Sequence, residues 1–274
     1  MVTAEPRSWR IAAFFDVDRT LMRGSSMLAL AGPLCRAGLV PRRALVRAAV
    51  RGLQFSARGF DEAQVQRAAQ SIGAAVRGMD AAQLRRVADR AVPRVLGPKV
   101  YSEARQLIAW HRARGHLVFL VSASTHELID RLGSIVGADG VVASEAEIVD
   151  GRYTGTVALC HGAAKVEAVR QLAAAHRVDL ESSYAYGDGA GDIPMLLAVG
   201  HPTAVNPDRR LRAAARRHGW PQLRFRARDD LSWLDNPVWP LGPARQAGQP
   251  WRGDAGEGLG IAEVPAESAG TAAY

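Results

Sequence analysis

Asp16 and Asp18, in the run Asp16-Val-Asp18-Arg-Thr20, are the residues whose types and spacing most directly suggest chemistry. They follow an apolar run over 11–15, which reads as a strand buried on both faces. In an open parallel α/β sheet, ligands bind beyond the carboxyl ends of the strands. Residues two apart in an extended segment point the same way, so both carboxylates would face one place. Asp-x-Asp-x-Thr alone is a weak signal, and its context has to carry it. The bland alternative is a loop cap in a non-catalytic domain.

The ends of the other apolar runs carry matching chemistry. The run over 116–121 stops at Ser122-Ala123-Ser124, and the run over 182–186 leads into Gly187-Asp188-Gly189-Ala190-Gly191-Asp192. Lys165 opens a helix between them. Three carboxylates at one sheet edge would repel, and each would resist ionisation unless a cation neutralised them. Carboxylate oxygens at Asp16 and Asp188 suit Mg²⁺, a hard ion that keeps several waters and contacts phosphate oxygens. A lysine, a hydroxyl and loop amides opposite them suit phosphate. Together these groups describe phosphoryl transfer through an aspartyl-phosphate.

The elements that must position these residues alternate between strand and helix, which implies βα units and a parallel sheet. Helices are expected over 99–114, 125–136, 163–176, 193–199 and 208–218. Short strands are expected over 141–142, 203–205 and 222–225. Asp150-Gly151 is a hairpin signal between strands over 146–149 and 153–157. Residues 24–96 read as several helices, with breaks near 38–41, 56–59 and 78–80. After about residue 235 the chain turns to Pro, Gly, Ala and Ser without periodicity, the composition of a disordered tail.

Read in order, these four clusters resemble the signatures of haloacid dehalogenase-like (HAD) phosphatases, specifically the phosphoserine-phosphatase-like branch, subfamily IB. The resemblance runs from about residue 11 to 225. It implies an α/β fold: a Rossmann-like parallel sheet flanked by helices, with a helical cap inserted between the first and second motifs. The core would be 1–23 and 97–228, the cap 24–96, and the tail 229–274. By the same resemblance Asp16 is the nucleophile. Asp18 is the general acid for the leaving alcohol, then the base for water. Thr20 orients Asp18 or the motif loop. Ser122 and the Ala123 backbone bind phosphate, with Ser124 a rival for that hydroxyl. Lys165 binds a phosphate oxygen and the nucleophile. Asp188 ligates Mg²⁺ with Asp16 and the Asp18 carbonyl. Asp192 lies behind the metal or pairs with Lys165, and it could also cap the helix over 193–199. The second carboxylate, Asp18, favours phosphate chemistry over carbon–halogen cleavage. Two departures matter. The glutamate that binds the substrate ammonium in phosphoserine phosphatases is replaced by Ser25, which argues against phosphoserine. The fourth motif, often Gly-Asp-Gly-x-Asn-Asp, has Gly191 in place of the Asn.

Composition bounds the rest. The chain has 274 residues and a net charge of +8, and of its 35 basic residues only Lys99 and Lys165 are lysine. An arginine-rich background makes a surviving lysine informative. No apolar run reaches the ~18–20 residues of a membrane span. Two cysteines are too few for a disulfide framework or zinc site, which fits a cytoplasmic compartment. The expected partner is a small phosphomonoester. Arginines 36, 42, 43, 47, 51 and 58 of the insertion could draw an anionic substrate or a membrane surface, while nucleic acid is disfavoured. Arg19 and Arg23 could touch substrate or simply lie on the surface. Two other functions use the same residues: a phosphotransferase or mutase on this core, and a basic regulatory protein with a vestigial site.

Overall fold

A computed structural model describes residues 9–40, 62–226 and 262–263. The strands form one sheet in the order β4-β3-β2-β1-β5-β6-β7-β8. They are β1 (Ala12–Phe15), β2 (Leu117–Thr125), β3 (Gly140–Val149), β4 (Arg152–Ala158), β5 (Tyr184–Gly187), β6 (His201–Val205), β7 (Gln222–Arg224) and β8 (Ala262–Glu263). The run from β3 to β7 is parallel, and β4 and β8 pair antiparallel at the two edges. The chain is therefore α/β, with a mostly parallel sheet flanked by helices.

β1 lies at the centre because all four of its residues are apolar and fully buried. It pairs with β2 on one side and β5 on the other, with Phe15 level with both Leu120 and Tyr186. The connections run outward through β2 and β3, then return to β5 beside β1. The strand order therefore reverses at β1, and the crevice of an open α/β sheet opens at such a reversal.

The helices are α1 (Ser26–Arg36), α2 (Glu62–Val76), α3 (Ala81–Val95), α4 (Ser102–Ala113), α5 (His126–Val136), α6 (Ala163–His176), α7 (Ile193–Leu197) and α8 (Arg209–His218). Among the described residues none is long and apolar enough to cross a membrane. The breaks expected near 38 and 78 fall between helices, at Gly38 and Gly78, both with left-handed backbone. Asp80 caps α3 by accepting from the Gln83 amide at 2.9 Å. The break near 56–59 and arginines 42, 43, 47, 51 and 58 of the insertion lie outside the described residues, as does the expected tail apart from β8.

Two elements differ from their sequence reading. β2 runs on to Thr125 because Ser122 and Thr125 still pair with β3, opposite Ala143 and Ser144, while Ala123 and Ser124 bulge between them. The short strand expected over 141–142 is the start of β3, which continues without a break into the hairpin. The hairpin turn is as its residues predict. Asp150 and Gly151 both take positive φ, 49° and 75°, and Val149 pairs with Arg152.

The hairpin also ties the inserted helices to the core. The Gly78 amide donates to the Tyr153 carbonyl at 2.8 Å, and the Tyr153 amide to the Met79 carbonyl at 3.0 Å. The Tyr153 hydroxyl donates to Glu127 on α5. α2 lies so close to β4 that a Cβ on Gly73 would strike the Gly155 carbonyl. Gly73→Ala should therefore destabilise the fold by about 1–3 kcal/mol, the usual cost of overpacking. Urea unfolding measures this, and a shift below about 0.5 kcal/mol would contradict the close approach.

Candidate active site

The site forms where β1, β2 and β5 end. The Asp16 amide donates to the Tyr186 carbonyl at 2.9 Å, so Asp16 is the first residue past the paired strand. Its Oδ1 accepts from Lys165 Nζ at 2.5 Å. The same ammonium reaches Asp192 Oδ1 at 2.7 Å. All three side chains are buried, and Lys165 is only 2% exposed. Asp16 Oδ2 is buried with no hydrogen-bond partner.

Lys165 sits in the first turn of α6, next to Gly162, whose left-handed φ of 56° turns the chain into the helix. Burial opposes the lysine charge, but Asp16 and Asp192 outweigh it and hold the ammonium above its ordinary value. Asp192 has a second task. Its Oδ2 accepts from the Asp188 and Gly189 amides at 3.0 and 3.1 Å. It makes no side-chain cap on α7, so the helix-cap role expected for it is replaced by a brace across its own loop.

Asp16, Asp188 and Asp192 offer carboxylate oxygens within 4.8 Å of one another, close enough to hold a metal ion. Without one, the cluster resists ionisation. Burial, then the Asp192 charge, push Asp16 up to about 7 against the pull of Lys165. Burial and the charges of Asp16 and Asp192 push Asp188 up to about 9, against Arg19 and Lys165. Arg19 Nε lies 2.7 Å from Asp188 Oδ2, on a side chain that is half exposed. Its backbone takes a positive φ of 65°, and its carbonyl accepts from the Asn206 side chain at 3.2 Å. Arg23, the other arginine beside the motif, is exposed, and its amide is fixed on the Lys99 carbonyl at 2.8 Å.

Asp18 accepts from the Ser26 amide at 2.9 Å, at the N-terminus of α1. Burial raises its pKa despite the hydrogen bonds from Ser26 and Ser25. Ser122 is buried, and its Oγ accepts from the Ser124 amide at 3.2 Å. The rival hydroxyl, Ser124 Oγ, is 2.5 Å from Ser26 Oγ and so is engaged with the start of α1. Ala123 is exposed at the bulge, its carbonyl held by the Ser144 hydroxyl at 2.8 Å. Thr20 is fully buried, and its Oγ1 has no hydrogen-bond partner. Asp16, Asp188, Asp192 and Lys165 thus form one cluster, with Asp18 on the same loop as Asp16 and Ser122 and Ala123 at the C-terminal end of β2.

A family model described as haloacid dehalogenase-like hydrolase matches residues 13–197. The chain belongs to the haloacid dehalogenase-like hydrolases. Among similar proteins, a probable phosphatase of Mycobacterium tuberculosis is 41% identical over 80% of this chain and 77% of its own length. An inhibition of morphological differentiation protein of Streptomyces azureus is 41% identical over 79% of each chain. A solved phosphoserine phosphatase, an analogue of its phospho-aspartyl intermediate, shares the fold with a TM-score of 0.57. It is 20% identical over 83% of this chain and 99% of its own.

In this hydrolase the sequence reading passed over two supporting residues. Ser26 donates its amide to Asp18, and the only signal for it is its place at the start of an apolar-periodic helix. Asp208 accepts from the Ala190 amide at 3.2 Å with one oxygen and from the Leu211 amide at 2.7 Å with the other. It thereby caps α8 and holds the fourth motif's loop at once. Its position before α8 signals the cap but not the loop contact.

The raised carboxyls set a pH dependence. The folded state binds more protons than the unfolded chain between about 4 and 9, so its stability falls as pH rises through 7 for Asp16 and 9 for Asp188. In chelator, the melting temperature should therefore drop from about pH 6 to about pH 9. A hard divalent cation should restore it, most strongly at the alkaline end. Asp188→Asn should flatten the slope; an equal slope in that variant would contradict the assignment.

Proposed function

We propose that the protein is a Mg²⁺-dependent phosphatase that hydrolyses a small phosphomonoester through an aspartyl-phosphate on Asp16. The observation that carries this reading is the division of labour within one carboxylate. Asp16 Oδ1 is held by Lys165, and Oδ2 is buried without a partner. An oxygen so placed is oriented and undersolvated, as a nucleophile needs to be.

The residues fit a magnesium ion. Asp16 and Asp188 present hard carboxylate oxygens, and the Asp18 carbonyl belongs to the same loop as Asp16. Bound there, the ion would neutralise the excess negative charge and draw charge from the phosphoryl oxygens. Asp16 Oδ2 attacks phosphorus, and the bond from phosphorus to the alkyl oxygen breaks. Asp18, whose raised pKa keeps a proton available, gives that proton to the leaving alcohol. The resulting Asp18 carboxylate takes a proton from water. The water oxygen attacks phosphorus, the acyl–phosphate bond breaks, and orthophosphate leaves with Asp16 restored. Lys165, the Ser122 hydroxyl and the Ala123 amide hold the phosphoryl oxygens during both steps.

Residues 24–96 act in this reading as a cap over the site, entered and left by two segments that run side by side. The Arg23 amide donates to the Lys99 carbonyl at 2.8 Å and the Tyr101 amide to the Leu21 carbonyl at 3.0 Å. Ser25 stands where an ammonium-binding glutamate would be, and its hydroxyl caps α1 at the Leu28 amide. That favours a phosphorylated alcohol, sugar or lipid-derived phosphate over phosphoserine.

Asp16→Asn should lower turnover of p-nitrophenyl phosphate with Mg²⁺ by at least about a thousandfold while circular dichroism stays unchanged. A near-normal rate would refute the nucleophile. Asp188→Asn should shift the Mg²⁺ concentration for half-activation upward by about tenfold or more. An unchanged titration would remove Asp188 from the metal site.

A further inference from the structure

A cavity of about 380 Å³ lies at the amino ends of β5 and β6, beside the turn that joins α8 to β7. Small-molecule sites run from roughly 300 to 1,000 Å³. The strands here are parallel, so this is the end of the sheet opposite the aspartate cluster. Tyr184, which lines the cavity, precedes Asp188 by four residues, about 13 Å along an extended strand. The chain is poor in aromatic residues, at 6%. Three of them, Tyr184, Tyr186 and Trp220, nevertheless meet at this one cavity, together with the imidazoles of His201 and His218. None of these five residues serves the catalytic reading.

Strand register brings the rings together. Tyr184 pairs with His201 and Tyr186 with Thr203 across β5 and β6. Residues two apart on a strand share a face, so all four lie on one face of the sheet. Tyr184 and His201 stack, with centroids 4.6 Å apart and planes 22° apart. His116 stacks on Tyr184 as well, at 5.7 Å, so the stack runs from His116 through Tyr184 and ends at His201. On the helix side, His218 stacks on Trp220 at 4.9 Å and 18°. Among the described residues no further ring lies on His201 or on the His218–Trp220 pair. Two open-ended stacks thus border one cavity. The groups between them are polar and unengaged. Thr203 is only 6% exposed. Its hydroxyl, the Trp220 indole N–H and the His201 and His218 ring nitrogens have no hydrogen-bond partner among the described residues. A buried hydroxyl left without a partner is costly, which a ligand with polar ring atoms would relieve.

We propose that this cavity is a second binding site, which takes a planar nitrogen heterocycle of the nucleobase kind. The flat faces of His201 and of the His218–Trp220 pair call for a planar π system. The hydroxyl, the indole N–H and the imidazole nitrogens call for donors and acceptors around the edge of that ring. A purely apolar ring would leave them stranded, and a compact ion would leave the stacking faces bare. The inference stands apart from the phosphatase reading, because a nucleoside carries no phosphate to engage the aspartate cluster.

The probes are adenosine and cytidine, titrated calorimetrically into the full chain, with melting temperature recorded for every variant. At least one should bind saturably at one site per chain, with a dissociation constant below about 1 mM. Trp220→Leu, which removes a stacking face, should weaken that binding at least about tenfold. Thr203→Val keeps the shape of the side chain and removes the unpartnered hydroxyl. It should weaken binding about threefold to tenfold while the melting temperature holds or rises. No saturable binding of either nucleoside up to about 5 mM would overturn the proposal. So would affinities unchanged in both variants. A six-residue deoxyadenylate strand, titrated at low and high salt, separates two sources of the same base. Binding no tighter than that of adenosine assigns the site to a free nucleoside. Binding more than about tenfold tighter, and lost with salt, assigns it to a single strand held also by the arginines of α8. Either result retains the base site.

Discussion

One buried ammonium governs the geometry of the site. Lys165 is almost wholly out of water and lies between Asp16 and Asp192, 2.5 and 2.7 Å from their oxygens. Taking a charge out of water is expensive, and leaving it unpaired costs about 3–5 kcal/mol more. The lysine therefore cannot move without both carboxylates moving too. Asp16 has one oxygen fixed and one left over because of it. Asp192 has one oxygen drawn to the lysine, so its other oxygen is left for the Asp188 and Gly189 amides. The backbone that carries Asp188 is thus set, through Asp192, by the same ammonium.

The charge count explains the rest of the electrostatics. Three carboxylates share a space of 4.8 Å, and Lys165 sits against only two of them. Asp188 answers by resisting ionisation, and Arg19 supplies a partial remedy from the surface. Asp188 is buried but Arg19 is half in solvent, so water screens the arginine's end of this pair and not the carboxylate's. Lys165 is a fixed counter-charge and Arg19 a replaceable one.

How much of this could be read from the residues follows from what kind of physics each feature uses. β1 and the two aspartates after it were legible because a short apolar run ending in carboxylates is a local pattern with one structural meaning. Asp150-Gly151 was legible for the same reason: a two-residue turn with both φ positive has few chemical solutions. The partner of that hairpin was not legible. Its attachment to Met79 and Gly78 is made largely by backbone hydrogen bonds, which leave no mark in side-chain chemistry, with Arg152 Nη1 adding one to the Gly78 carbonyl at 2.9 Å. The Ser122–Ser124 bulge was missed likewise, since its cause is a register shift against β3 and the Ser144 hydroxyl. Asp192 shows the limit in a single residue. Its pairing with Lys165 was open to inference from charge, whereas its reach back to two amides of its own loop depends on a backbone path that types and spacing do not fix. Thr20 is a further case: its full burial with an unpartnered Oγ1 is set by the packing around it, which its type and spacing do not show.

The scarcity of lysine in the chain now has a physical content. A background of arginine would place a guanidinium at 165 unless something opposed it. The niche there opposes it. It is closed to water, and its two carboxylate oxygens converge on one nitrogen at 2.5 and 2.7 Å. A planar fork of five donors would have to spread its nitrogens and would strand several without acceptors, each at the cost of a buried unpaired donor. A compact ammonium with three rotatable donors satisfies two carboxylates from one point. At Asp188 the opposite holds: the cation there is an arginine, half in water, meeting the carboxylate through Nε. The chain thus uses each cation where its shape is suited, the point charge where the field must be permanent and the fork where it must yield.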